Sequence, residues 1–318
     1  MDRLKINEVD KVEILTLVDN YIDLASDDNS DIVSRGTPIK DMQLKNSILA
    51  DHGFSALIRC TTKEKTRTMI FDFGFSTDVA TRNADALDVD LTEVEAAALS
   101  HGHIDHFGGL NDLATKIGKR GLEFVAHPAV FRSNRYLVPL PNLKIGAPTL
   151  ERGKIEEAGF RIVETKEPFS LLDGDVLFLG EVPRRTSFEK GMPMAFYEEN
   201  GKEMWDPTED DTGLVMLIRG KGLAILSGCA HSGIINTVEY ARELMGINKV
   251  HLVMGGFHLT GSAFESIIDD TVEAMKKIGP NYIIPAHCTG RKAVLAFEKA
   301  MPDQFILNMS GTKLTFTA

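Results

Sequence analysis

Ser100-His101-Gly102-His103-Ile104-Asp105-His106-Phe107-Gly108-Gly109-Leu110 is the stretch on which the reading of the fold turns. It follows an apolar run over 96–99 that reads as a strand, and it leads through a glycine-rich turn into a helix. His101, His103, Asp105 and His106 place four metal-competent side chains within six residues. Gly102 lets the chain bend so that the first two imidazoles converge, whereas Asp105 and His106 face a neighbouring point. Imidazole nitrogens beside a carboxylate oxygen suit Zn, Fe or Mn. Solvated loop histidines rarely fall at this spacing, so the cluster reads as a metal site. One cluster cannot complete two coordination shells, and further ligands are expected later in the chain.

Outward from this stretch, apolar and β-branched runs at 12–19, 55–60, 68–73, 122–127, 213–219, 223–227, 250–254, 282–285 and 313–316 read as strands. Helices are expected at 84–89, after Phe107, and at 234–245, 263–278 and 291–300; 91–98 begins helical and turns into the strand before Ser100. The stretches 151–169 and 173–180 look like strand–turn–strand material, 305–307 a late strand, and 26–40 a loop or lid. Residues 131–211 are the least regular part, and 184–210 show no period at all. They read as an insertion beside the active-site mouth, because long ordered loops in compact domains are usually functional. No tandem repeat is present. Both halves begin with strands and finish in alternating β and α, the pattern of an α/β domain over 1–318 with two halves packed sheet to sheet.

At 318 residues, 43% hydrophobic and 25% charged, the chain falls in the globular range, which excludes a disordered, collagenous or disulfide-stapled protein. Its 35 basic and 46 acidic residues give a net charge of -11, with no Lys/Arg cluster to oppose it. A nucleic-acid partner is therefore not expected. No apolar run reaches the roughly 18–20 residues of a membrane helix, so no membrane partner is expected either. Cys60, Cys229 and Cys288 are too few and too scattered for a disulfide framework. Residues 1–10 carry no apolar signal core, and a reducing cytoplasm is the expected setting. A homo-oligomer is left open.

Beyond the cluster, His258 follows Met254-Gly255-Gly256-Phe257 at a strand end that points toward the metal edge. It is a candidate ligand, a proton donor to a leaving group, or a partner for a substrate oxyanion. His52, before Gly53-Phe54-Ser55, is a candidate for the same pocket, while His127 and His251 read as structural. Ser232 and Gly233 precede the helix at 234–245, whose first amides suit an anion. Thr289-Gly290-Arg291-Lys292 offers a second helix start with two cations. Together these hint at a phosphate-bearing substrate; a solvated Arg-Lys pair is the ordinary alternative.

The 100–110 stretch closely resembles the metal-binding signature of the metallo-β-lactamase superfamily. Phe71-Asp72-Phe73-Gly74 resembles its early strand-end Asp–Gly motif, and Pro285-Ala286-His287 its final ligand histidine. Leu226-Ser227-Gly228-Cys229 stands where Ser-Gly-Asp is usual. More narrowly, Asp51-His52-Gly53-Phe54-Ser55, Ser227-Gly228-Cys229-Ala230-His231-Ser232-Gly233, Gly255-Gly256-Phe257-His258 and Ala286-His287-Cys288-Thr289-Gly290 are similar to one branch. Its members are often labelled 7,8-dihydropterin-6-methyl-4-(β-D-ribofuranosyl)-aminobenzene-5'-phosphate synthases. The resemblance extends over nearly the whole chain.

It implies a four-layer αβ/βα sandwich with a metal pair at one edge of the sheets. His101 and His103 would hold the first metal, and Asp105, His106 and His287 the second, with Asp72 orienting a ligand or the bridging water from behind. Two departures stand out. The lone histidine expected before the Ser-Gly-Asp strand is missing: His127 comes too early, so His231 takes the third place on the first metal. Cys229 replaces the usual bridging Asp, and metal ligation and an inert buried thiol stand as equal alternatives.

The implied activity is metal-dependent hydrolysis by a metal-activated water, with two divalent ions, Zn ahead of Fe or Mn. Asp105 and His258 would be the catalytic side chains; His52, Ser232, Thr289 and Arg291 would bind a small anionic substrate, a phosphate ester or phosphodiester. One alternative is a pterin-pathway synthase forming a C–N bond to a ribofuranosyl-aminobenzene phosphate. Another is a metal-bound sensor with little turnover, motivated by Cys229.

Overall fold

Side-chain alternation along Lys11–Val18 divides the molecule into layers. Val12 and Ile14 turn into one apolar cluster, and Leu15 and Leu17 into another. A strand buried on both faces must carry apolar residues at both parities. The computed structural model describes residues 6–44 and 47–318, so the reading of the first ten residues lies partly outside the described residues. Lys11–Val18 belongs to an eight-stranded sheet ordered Phe160–Glu164, Leu122–Ala126, Val94–Ala98, Lys65–Phe71, Ser55–Thr62, Lys11–Val18, Lys313–Thr317, Val33–Ser34.

A seven-stranded sheet faces it, ordered Phe169–Leu171, Val176–Phe178, Gly213–Ile218, Gly222–Ser227, Val250–Gly256, Tyr282–Ala286, with Glu8–Val9 added parallel to Gly213–Ile218. Between the sheets, Ile14, Phe71 and Val125 share one core with Phe178, Met216 and Leu252. On the outer side of the first sheet, Ala80 and Leu113 of helices Val79–Ala86 and Leu110–Ile117 pack with Ile70 and Phe124. Outside the second, Val238, Met275 and Phe297 of helices Ile234–Met245, Ile268–Ile278 and Arg291–Ala300 pack with Ile225 and Val253. The order is helix, sheet, sheet, helix, as the resemblance implied.

Lys65–Phe71, Val94–Ala98 and Leu122–Ala126 run parallel, as do Gly222–Ser227, Val250–Gly256 and Tyr282–Ala286. Asp72, His101, Cys229, His258 and His287 each lie a few residues past the carboxyl end of one of these strands. Carboxyl ends of parallel strands are where α/β sheets collect their ligands.

Several elements differ from the sequence expectation. Residues 151–169 contain a helix, Arg152–Glu157, ahead of the strand Phe160–Glu164; only Ile155 of that helix is buried, so no helical stripe marks it. The 84–89 helix lies earlier, at Val79–Ala86, and the start of 91–98 is a single turn, Leu91–Glu93. The helix expected from 263 begins at Ile268, after the short turn Glu265–Ile267. Residues 305–307 make one parallel bridge, Phe305 to Ile283, instead of a strand. Inside 131–211 a four-stranded sheet forms, ordered Leu143–Gly146, Arg135–Leu140, Ala195–Glu199, Lys202–Trp205. Its outer strands are exposed along their whole length, which is why no alternation shows. No helix among the described residues is long and apolar enough to cross a membrane.

Candidate metal centre

Strand Lys65–Phe71 ends in Asp72, whose backbone takes the left-handed φ of 60°. A non-glycine residue there is strained and is held by its partners. Asp72 Oδ1 accepts from the Ser100 amide at 2.7 Å, and Oδ2 accepts from Ser100 Oγ at 2.7 Å and faces His106 Nδ1 at 2.6 Å. With Nδ1 engaged by the carboxylate, His106 presents Nε2 to the space ahead, 3.1 Å from Cys229 Sγ. Burial pulls the His106 imidazole down, but the Asp72 and Asp105 carboxylates outweigh it and push it up to about 9.

His101, His103 and His231 form the tightest group. His101 Nε2 and His103 Nδ1 are 2.9 Å apart, and His231 Nε2 lies 3.2 Å from the first and 3.1 Å from the second. Three imidazole nitrogens converging on one point form one face of a tetrahedral metal site. Burial and the neighbouring imidazoles lower His101 and His231 far below the usual histidine range, and burial brings His103 to about 4. All three are therefore neutral at pH 7, the form that binds metal.

The tight His-Gly-His bend depends on its glycine. A Cβ at Gly102 would lie 2.5 Å from the Val130 carbonyl oxygen and 2.9 Å from Arg135 Nη1. The Gly102 amide donates to Asp210 Oδ2 at 2.8 Å, and Arg135 grips the same carboxylate at 2.6 and 2.9 Å. Sequence reasoning missed this buried pair, because its members are far apart in the chain and neither stands in a motif.

Asp105, His106, Cys229 and His287 offer a second group whose ligand atoms all lie within 4.8 Å of one another. Asp105 Oδ2 stands 3.3 Å from His287 Nε2 and 3.8 Å from His106 Nε2. Burial favours the protonated acid, but His106 and His287 outweigh it and hold Asp105 well below the usual carboxylate range. His287 is fixed from behind: its amide donates to Asp19 Oδ1 at 2.8 Å, and its Nδ1 meets Asn20 Oδ1 at 2.9 Å. Its Nε2 is buried with no hydrogen-bond partner among the described residues, an orphaned atom aimed at the same point as Asp105. Ligand chemistry and orphaned nitrogen both fit a divalent cation.

Cys229 also belongs with His101 and His231 and so stands between the two groups, where a bridging ligand would be. Cys288, which the sequence did not single out, touches it, sulfur to sulfur, at 3.2 Å. A cavity of about 300 Å³ opens over these residues, bounded by His103, Asp105, Cys229, His231 and His258 with Tyr136 and Met192 from the four-stranded sheet and its approach. His258 is half-buried and shared with an adjoining cavity of about 690 Å³, where Phe264 meets its ring at 4.7 Å. His52 is exposed at the rim, Nε2 3.8 Å from Asp105 Oδ2 and Nδ1 beside Asn20.

Three expected substrate contacts do not face this cavity. Ser232 is buried, its amide donating to Asp211 Oδ2 at 2.9 Å. The helix start behind it is already filled: Glu189 accepts from the Ile235 and Asn236 amides at 2.8 and 2.9 Å. Burial pushes that carboxyl up to about 7. Thr289 is also buried, its Oγ1 donating to the Ala286 carbonyl at 2.7 Å and accepting from the Phe257 amide at 3.0 Å. Arg291 is exposed and lines a separate depression with Asn20 and His287. His127 and His251 serve the scaffold: the first accepts from the Ala129 amide, and the second packs on Tyr282 and Phe316.

A family model described as the metallo-beta-lactamase superfamily matches residues 49–245. The 7,8-dihydropterin-6-methyl-4-(beta-D-ribofuranosyl)-aminobenzene-5'-phosphate synthase of Methanocaldococcus jannaschii is 32% identical, over 98% of this chain and 99% of its own. A solved metal-dependent hydrolase of the beta-lactamase superfamily superposes with a TM-score of 0.72 at 25% identity, over 96% of this chain and 100% of its own. The metallo-beta-lactamase fold protein YhfI of Bacillus subtilis has the same fold, with a TM-score of 0.51 at 10% identity over 96% of this chain and 100% of its own.

Proposed function

Because this chain belongs to the metallo-beta-lactamase superfamily, we propose that it is a metal-dependent hydrolase whose two donor groups each hold one divalent ion, Zn ahead of Fe or Mn. The observation that carries this reading is the triangle of His101, His103 and His231 nitrogens, 2.9 to 3.2 Å on a side, next to the Asp105–His106–Cys229–His287 group. When bound, such ions supply Lewis acidity and lower the pKa of a water toward about 7.

The chain's own part is to hold and to screen. Asp72 fixes the His106 ring, and Asp19 and Asn20 fix His287, so both nitrogens are set before any ion arrives. Asp105 keeps its negative charge inside the site. His258, which borders both cavities, would give a proton to a leaving group. His52 meets the substrate at the rim. A small anionic phosphate ester or phosphodiester suits the reading: two cations outweigh the Asp105 charge, while Arg135 is already neutralised by Asp206 and Asp210. The net charge of -11 argues against nucleic acid as the occupant. Three cysteines, too few and too scattered for a disulfide framework, support a reducing, cytoplasmic setting.

The near full-length match to the synthase supports a second reading, C–N bond formation to a ribofuranosyl-aminobenzene phosphate. Both readings use the same cations and differ in what captures the activated group. The metal-loaded protein incubated with a pterin-methyl pyrophosphate ester, with and without that arylamine, separates them by mass spectrometry of the products: water capture gives the free alcohol, arylamine attack at the methylene carbon gives the C–N bond, and pyrophosphate leaves in both. Water capture is expected under the hydrolase reading. A product containing the arylamine, with no hydrolysis, would replace it by the synthase.

A further inference from the structure

Cys229 and Cys288 follow strands that are not neighbours, since Val250–Gly256 runs between Gly222–Ser227 and Tyr282–Ala286. Their sulfurs nonetheless meet at 3.2 Å. Gly256, the last residue of the middle strand, makes this contact possible: a Cβ there would lie 2.6 Å from Cys288 Sγ and 3.2 Å from Cys229 Cα. Two residues on, His258 takes a left-handed φ of 43° and turns back over the same point. One ligand atom from each of Cys229, His258 and Cys288 then lies within 4.8 Å of the others. His258 Nδ1 is buried with no hydrogen-bond partner among the described residues. All three side chains border the cavity of about 300 Å³, so the point is open to a small ion.

A thiol is a weak donor and a weak acceptor, so contact between two thiols stabilises little by itself. Two sulfurs and an imidazole around one accessible point are, by contrast, the donors that soft cations select. We propose that Cys229, Cys288 and His258 form a third donor group that binds one thiophilic divalent cation of the Zn²⁺ or Cd²⁺ class. It rests on the hydrolase reading only through Cys229, which also belongs to the Asp105–His106–His287 group. Binding converts the thiols to thiolates and releases their protons to water. It also takes the imidazole that the hydrolase reading uses as a proton donor, so excess thiophilic ion acts as an inhibitor.

The test is a Co²⁺ titration of the full, reduced chain under anaerobic conditions, reading the sulfur-to-metal charge-transfer absorption. It compares the unaltered protein with Cys288→Ser, and with His258→Ala, which leaves both sulfurs in place. The proposal predicts that Cys288→Ser removes roughly half of the band, as one of two thiolates is lost. It also predicts that His258→Ala weakens Cd²⁺ binding at this group at least about tenfold. A band of unchanged intensity in Cys288→Ser, or Cd²⁺ affinity unchanged in both variants that keep native circular dichroism, overturns it. Co²⁺ bound with no charge-transfer band overturns it while leaving the histidine sites standing. A chain that binds no Co²⁺ overturns both.

Discussion

Asp72 acts through another residue. Its Oδ2 holds His106 Nδ1 at 2.6 Å, while Oδ1 and Oδ2 take both donors of Ser100. An amide of the same shape can accept from Ser100, but it cannot stabilise a proton on the ring with a full negative charge. Asp72→Asn should therefore lower affinity for the ion at the Asp105–His106 group about 10–100-fold, with the fold intact. Competition against a chromogenic chelator measures this, and unchanged affinity would mean that Asp72 merely braces the loop. The residue types at 100–110 announce their chemistry because nothing else explains them at that spacing. Cys288 did not, since a single cysteine beside a histidine carries no signal until the fold brings Cys229 to it.

At the scale of the element, the helix Ile234–Met245 shows how a sound local inference fails. Its first amides do engage a carboxyl group, but the group belongs to Glu189, well before the helix in the chain. Burial raises this carboxyl from 4.5 to about 7. Between those values the folded chain holds a proton that the unfolded chain has lost, so stability falls as pH rises through this window. Glu189→Gln should flatten that part of the profile, read as Tm between pH 4.5 and 7. An identical slope in the variant would assign the dependence to another group. The strands Leu143–Gly146 and Lys202–Trp205 were hidden for a different reason: exposed on both faces, they have no buried face to set a period.

The molecule as a whole is held at its working edge by an ion pair that no motif foretold. Arg135 leaves the four-stranded sheet to meet Asp210 and Asp206, and Asp210 in turn holds the amide between His101 and His103. Removing the cation strands a fully buried carboxylate, which costs on the order of 3–5 kcal/mol. Arg135→Ala should thus lower Tm and loosen the His101–His103 bend together. A variant with unaltered Tm would show that the four-stranded sheet is not tied to the His101–His103 bend in this way. The two-sheet architecture was readable because each core strand carries its own pattern, whereas such long-range charge pairs exist only after folding.

The proposed function requires separate regions of the sequence to converge on two metal positions. Elemental analysis of anaerobically purified protein, beside His103→Ala, reads their occupancy. About two divalent ions per chain are expected, one in each donor group, with His103→Ala losing the ion of the histidine triangle. A chain that takes up no metal even after reconstitution, or a His103→Ala variant with full occupancy, would contradict it.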